Sequence, residues 1–236
     1  VLQQQDIIAR LNSFIKMLST RSIILFFCSL ALLSHSCNTS SNFSELKEGD
    51  LLFVVGKSQS EQTKAIKGST SKKGDIPYSH VGIVRFVEKD VYVIEATPSG
   101  GVIQTLLYEF MQKAEKVEGK PLIAVGRLKP EYQYLVPRAV ERAANQLGRP
   151  YDYAFDEEND DYYCSELVRF SYLDSLENPI FPPIAMTFKN RETGETEAYW
   201  KRHFAGLQLE IPEGKPGTNP ADLSKSPAID IVHRYY

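Results

Sequence analysis

Two adjacent segments rich in β-branched and aromatic residues restrict the fold more than any other feature of this 236-residue chain. Residues 79–87 (SHVGIVRFV) and 91–96 (VYVIEA) have the composition of strands, and only EKD separates them. Such side chains pack well on a pleated surface, and so short a connection favours two neighbouring antiparallel strands. The pattern therefore predicts a β-hairpin around which the rest of a sheet assembles.

Further strand signals surround the hairpin, and helix signals follow it. Residues 51–55 (LLFVV) and 122–128 (LIAVGRL) predict buried strands, and residues 100–111 predict a turn followed by a strand or a short helix. Residues 137–148 and 163–176 predict two helices. Strands collected in one part of a chain and helices in another are typical of α+β proteins, so we expect an antiparallel sheet packed against helices.

Two long segments show no such periodicity. Residues 57–77 are polar and contain Gly68 and Gly74, which predicts a surface loop with one helical turn at its start. The proline-rich tail that begins at Asn178 predicts an ordered but irregular segment that wraps the domain.

The N-terminal segment resembles a bacterial export signal. After Met17, a positive Arg21 precedes an apolar stretch over residues 23–33, which is too short to span a bilayer but suits a signal-peptide core. Cleavage before Cys37 would give a lipoprotein anchored through that thiol, although Ser34 occupies a position where such signals usually carry leucine. An ordinary secretory signal and a short buried helix remain alternatives.

These patterns predict three regions. Residues 1–37 form a leader with a lipoprotein signal, of which residues 1–16 lie outside the protein if translation starts at Met17. Residues 38–47 form a polar tether, and residues 48–236 form the folded domain. We expect the protein to be exported and held on the periplasmic side of the bacterial cell envelope by a lipid anchor alone, or otherwise to be periplasmic or secreted.

Cys164 is the cysteine in the polar body of the chain, and its position suggests a reactive thiol. The acidic and turn-forming residues end at Asp161, and an apolar period typical of a helix follows, so Cys164 falls at or near a first helical turn. Unpaired backbone N–H groups at a helix start favour a thiolate and can also hold an oxyanion. A small buried core residue is the alternative interpretation.

A base and an orienting group are available on the hairpin. His80 begins the first strand, and Glu95 is a carboxylate among apolar residues of the second strand. A two-residue turn that pairs Val87 with Asp90 places Glu95 diagonally beside His80, whereas a three-residue turn places it on the opposite face. Each residue could equally be structural, with Glu95 protecting a sheet edge.

The order of several motifs is similar to that of a known family. GDLLF, PYSHVGIV, YVIEA, ANQLGRPYDYAFD, YYCSELV and PGTNPADLSKSP occur as in YiiX-like proteins, circularly permuted NlpC-type papain-like cysteine hydrolases related to lecithin retinol acyltransferase. The resemblance implies a permuted papain-like fold, with an antiparallel β-barrel or sheet beside a helix that starts at the nucleophile. It also implies that Cys164 is the nucleophile, His80 the base and Glu95 the residue that orients the histidine.

The implied activity is that of a cell-envelope cysteine amidohydrolase or peptidase. It would cleave a peptide-like or acyl-amide substrate, such as a cell-wall peptide or an amino-acid-linked amide, through a thioester. A lipid-directed acyltransferase or thioesterase and a non-catalytic binding lipoprotein of the same fold are the alternatives. We expect Tyr78, Tyr163 and Ser165 to contact the substrate.

The sequence gives no reason to expect a cofactor or a nucleic-acid partner. Its histidines are scattered and its cysteines lack metal-ligand spacing, so we expect neither a metal nor an organic cofactor. A net charge of −3 provides no electrostatic basis for binding nucleic acid. The oligomeric state does not follow from the sequence.

Overall fold

A six-stranded antiparallel sheet forms the centre of the computed structural model, which describes residues 45–236. In sheet order, the strands are β10 (Ile229–Arg234), β7 (Ile123–Leu128), β1 (Leu51–Val54), β2 (His80–Val87), β3 (Asp90–Thr97) and β4 (Gly101–Leu106). Two small two-stranded sheets pair β5 (Lys116–Val117) with β6 (Lys120–Pro121) and β8 (Ile184–Ala185) with β9 (Pro216–Gly217).

Helices accompany the sheet and complete the expected α+β architecture. They are α1 (Glu61–Thr70), α2 (Leu107–Gln112), α3 (Val136–Asn145), α4 (Cys164–Ser171), α5 (Ala198–Leu207) and α6 (Pro220–Leu223), with a 3₁₀ helix at Pro130–Leu135. α4 packs on β2 and β3, and α3 packs on α4 and β2. Of the two predicted forms of the sheet, the open one is present: in the described range, β10 and β4 remain at opposite edges, and no closed barrel forms.

The hairpin between β2 and β3 has the two-residue turn on which the position of Glu95 depends. Val87 pairs with Asp90, and Ile83 pairs with Ile94. This register places the side chains of His80 and Glu95 on the same face of the sheet, diagonally across the two strands. The structure therefore confirms the register that brings these two residues together.

Two segments are more regular than the sequence predicts. Residues 57–77 contain the ten-residue helix α1 rather than one helical turn, with Ser60 as a side-chain N-cap for Thr63 N at 3.0 Å. The tail contains α5, α6 and β10, so the prediction of an irregular wrap was wrong. Tertiary contacts explain both differences, because α1 packs against α5 and the last strand pairs with β7.

The contact between α1 and the tail is a buried one. The Trp200 indole on α5 is 2% exposed and donates its Nε1–H to Ser69 Oγ on α1 at 3.1 Å. Aromatic rings of Phe155, Phe188 and Phe204 surround the indole. Packing of this kind stabilises a helix whose own sequence is only weakly amphipathic.

The predicted leader lies outside the described residues, as do Cys37 and residues 38–44 of the predicted tether. Within residues 45–236, no helix has both the length and the apolar character that a membrane crossing requires.

Candidate active site

Cys164 is the first residue of α4, as the sequence pattern predicts. The helix begins here because Tyr163 has an extended backbone conformation and its N–H donates to Glu166 Oε2 at 3.1 Å. A carboxyl group that reaches back from the first turn in this way is typical of a helix start. Cys164 is 7% exposed, and the N–H groups of this first turn have no partners within the helix.

His80 is held by a buried carboxylate. Its Nε2 lies 2.6 Å from Glu95 Oε2, so Nδ1 is the ring nitrogen that remains available to the thiol of Cys164. Burial opposes the charged imidazolium, but hydrogen bonding and negative charge from Cys164 and Glu95 outweigh it and raise the pKa of His80 to about 10. The site therefore favours a protonated histidine beside the cysteine.

Glu95 is fully buried and accepts hydrogen bonds at both carboxylate oxygens. Oε2 faces His80, while Oε1 accepts from Thr105 Oγ1 at 2.5 Å and from the ammonium of Lys113. Burial alone would raise its pKa, but His80 and then Lys113 lower the pKa of Glu95 to about 2. The carboxylate is therefore ionised across the physiological pH range.

Sequence reasoning did not find Thr105 and Lys113. Thr105 pairs with Val93, and its side chain lies on the same sheet face as Glu95 because side chains alternate along a strand. Had the strand β4 within residues 100–111 been recognised, the alternation of side chains along it could have revealed that Thr105 shares a face with Glu95. Lys113 follows the short helix α2, and no local sequence pattern indicates that its ammonium returns to Glu95.

Two cavities meet at Cys164. The larger, of about 420 Å³, has a mainly apolar surface, but the charged or titratable side chains of His80, Glu95, Lys57 and Lys113 line it. The smaller, of about 60 Å³, is mainly apolar and is lined by residues that include Tyr151, Phe155, Tyr163, Ser165, Met186 and Trp200. Ile66, Ser79, Tyr151 and Cys164 line both cavities, so the two form neighbouring parts of one cleft.

The three residues expected to contact the substrate do not share one location. Tyr163 and Ser165 line the smaller cavity. Tyr78 is buried 5.8 Å from the ring of Phe53, and its hydroxyl lies 3.0 Å from that of Tyr236. It lines neither cavity, because its ring packs against β1 in the core instead.

The described part of the chain offers no cluster of metal ligands. Among residues 45–236, no group of three or more His, Cys, Asp or Glu side chains is placed to hold a metal ion. The polar groups that surround Glu95 are donors, and His80 is already paired with that carboxylate.

Papain-like cysteine hydrolases combine a cysteine at a helix start with a histidine and an orienting polar residue beside an antiparallel sheet. This chain has the same combination in permuted order, because the histidine precedes the cysteine in the sequence. Comparison with known proteins agrees: the chain belongs to the family of permuted papain-like amidases, YaeF/YiiX, the C92 family, whose profile matches residues 45–233. Membership of this family supports the general activity of a cysteine amidase.

Two individual relatives are similar over much of the chain. The Escherichia coli K12 protein YiiX, which is uncharacterised, is 35% identical over 130 residues, which cover 54% of this chain and 58% of YiiX. A crystal structure of YiiX from Escherichia coli O157:H7, described as a metalloprotein, superposes with a TM-score of 0.65 at 26% identity. That superposition covers 80% of this chain and 98% of the other.

Proposed function

We propose that the protein is a cell-envelope cysteine amidohydrolase that cleaves an amide bond through a thioester on Cys164. One observation carries the proposal: the larger cavity contains Cys164 at the start of α4 together with a histidine whose Nε2 is bonded to a buried, ionised carboxylate. Cys164, His80 and Glu95 would then act as the nucleophile, the base and the orienting group that acyl transfer requires.

The reaction would proceed in two halves. His80 Nδ1 takes the thiol proton, and the thiolate attacks the amide carbonyl while N–H groups at the start of α4 hold the oxyanion. The imidazolium then gives its proton to the departing amine, and the C–N bond breaks. Water, deprotonated by His80, hydrolyses the thioester and releases the acid with the thiol restored.

The surroundings of His80 favour this sequence. The same charges that raise the pKa of His80 to about 10 stabilise an imidazolium next to a thiolate. Glu95 accepts from Nε2–H and so leaves Nδ1 as the nitrogen that exchanges the proton with Cys164. Its own low pKa keeps this acceptor charged throughout the cycle.

The location and the substrate belong to the proposal. The signal-like pattern of residues 17–37 supports export to the cell envelope, where peptide-like amides of the cell wall are available. The charged side chains in the lining of the larger cavity, Lys57 and Lys113 among them, support an amino-acid-linked amide over a purely apolar substrate.

A lipid-directed acyltransferase or thioesterase is the second candidate, and the apolar lining of the smaller cavity favours it. Its size argues against a long acyl chain. At roughly 10–15 Å³ for each water-sized occupant, the 60 Å³ cavity holds about four to six such positions. This is enough for a small apolar group, so we prefer the amidohydrolase.

Substitution of Cys164 and of His80 tests the proposal. A panel of cell-wall peptides and acyl amides would be assayed with the wild-type protein and with Cys164→Ala, His80→Ala and, as a matched control, His233→Ala. We expect Cys164→Ala and His80→Ala to abolish turnover, and His233→Ala, on the edge strand β10, to retain it. Persistent turnover by Cys164→Ala would contradict the proposal, as would binding of these compounds without hydrolysis.

A further inference from the structure

The position of His80 determines how an amide would lie in the cleft, if the proposed function is correct. His80 must protonate the departing nitrogen, and it lines the larger cavity but not the smaller one. The amine half of the substrate therefore lies in the larger cavity, which contains the charged side chains. The acyl half lies on the other side of Cys164, towards the smaller apolar cavity.

The larger cavity has an excess of positive charge. Two lysines, Lys57 and Lys113, line it against one carboxylate, Glu95, and the histidine–cysteine pair has no net charge whichever partner holds the proton. The backbone explains why the lysines are neighbours, because Lys57 N donates to Lys113 O at 3.3 Å. Lys113 is bonded to Glu95, whereas Lys57 is exposed and forms no ion pair with the rest of residues 45–236.

Hydrogen-bond donors in the same lining also lack partners. Thr97 is only 9% exposed, and its Oγ1 has no hydrogen-bond partner within the described residues. The same holds for the enclosed amide nitrogen of Gln62, in the first turn of α1. Buried donors are normally satisfied, and both of these line the cavity that holds the two lysines. The N-terminus of α1 adds a favourable dipole for an anion.

We propose that the larger cavity binds a carboxylate carried by the amine half of the substrate. The substrate class is then an N-acylated amino acid or a peptide in which the residue that follows the cleaved bond bears a free carboxylate. Lys57 supplies the positive charge, while Thr97 and Gln62 supply neutral donors. Hydrolysis breaks the C–N bond, adds water across it, and releases a small acyl group as an acid and the amino acid as an amine.

Alkylation of Cys164 tests this proposal without requiring turnover. Iodoacetate and iodoacetamide differ mainly in the carboxylate, and mass spectrometry of the Cys164 peptide gives each labelling rate in the full chain. We expect Lys57→Met to lower the iodoacetate-to-iodoacetamide rate ratio by about fivefold at low ionic strength. Lys89→Met, in the turn at the opposite end of β2 from His80, is the matched control and keeps the wild-type ratio. A ratio that is equal in all three proteins would overturn the proposal.

A substrate comparison gives a second measurement. Each amide that the wild-type protein hydrolyses would be tested as the free acid and as its carboxamide. We expect the free acid to have the higher kcat/KM and Lys57→Met to reduce that preference; an equal or reversed preference would contradict the carboxylate site. A protein whose labelling ratio responds to Lys57→Met but that hydrolyses no amide would instead contradict the proposed function and leave the carboxylate site supported.

Discussion

Replacement of Glu95 by glutamine tests whether the carboxylate determines the state of His80. In the wild-type protein, Oε2 accepts from His80 while Oε1 accepts from both Thr105 and Lys113. A glutamine has one acceptor oxygen for these three donors. If the oxygen faces His80, the amide nitrogen meets the Lys113 ammonium, which can only donate, and the Thr105 hydroxyl, which must turn to accept. If the oxygen faces Thr105 and Lys113, the amide nitrogen meets His80 Nε2.

Both orientations of the glutamine amide damage the site, and their energetic costs decide which one forms. The first leaves donors unsatisfied around a fully buried group, at a cost of about 1–3 kcal/mol for each buried group. The second turns His80 Nε2 into an acceptor, so the one proton of the neutral ring occupies Nδ1, where the base needs a lone pair. Because the first cost is large, we expect the second orientation. The equivalent tautomer change lowers kcat about 10,000-fold in serine proteases.

We therefore expect Glu95→Gln to lower kcat/KM by about 1,000- to 10,000-fold at neutral pH while the protein remains folded. Steady-state kinetics on an amide that the wild-type protein hydrolyses would measure this loss, and circular dichroism would establish folding. Glu109→Gln, an exposed carboxylate on α2, is the charge-matched control and retains activity. A folded Glu95→Gln protein within about threefold of wild type would refute the role given to the carboxylate.

Three further predictions concern the buried charges and one glycine. Because Lys113 helps to lower the pKa of Glu95 to about 2, stability from that carboxylate is present above about pH 4.5 and is lost towards pH 2. Lys113→Met raises this pKa, so the loss measured by urea unfolding should be smaller and should end at higher pH, and an unchanged acid limb would contradict this. Burial raises the pKa of Glu166 to about 9, so the stability of the folded protein falls as pH rises from about 4.5 to 9. Glu166→Gln should flatten that fall in thermal melts, and a dependence of stability on pH equal to that of the wild type would contradict this. Gly101 has φ +65°, and an added Cβ would lie 2.1 Å from Arg149 O, so Gly101→Ala should lower the free energy of unfolding by at least about 2 kcal/mol, whereas a neutral change would show that the backbone yields.

Local patterns determined the parts of the site that lie within single elements. The β-branched and aromatic residues of 79–87 and 91–96 predicted the hairpin, whereas the structure selected the two-residue turn that places Glu95 beside His80. The apolar period after Asp161 produced a helix that begins at Cys164. Interactions between residues close in the chain govern these features, so sequence reasoning could find them.

Only the tertiary structure decided how these elements combine. α1 is a full helix because it packs against Trp200 from the distant tail, and β10 is a strand because β7 offers it an edge. Lys113 reaches Glu95 across 18 positions, and Tyr78 packs in the core. Contacts between residues far apart in sequence stabilise all of these features, and a local pattern carries no record of such contacts. The sequence by itself therefore determined the strands and the helix that carry Cys164, His80 and Glu95, whereas the charges and cavities around these residues follow from packing.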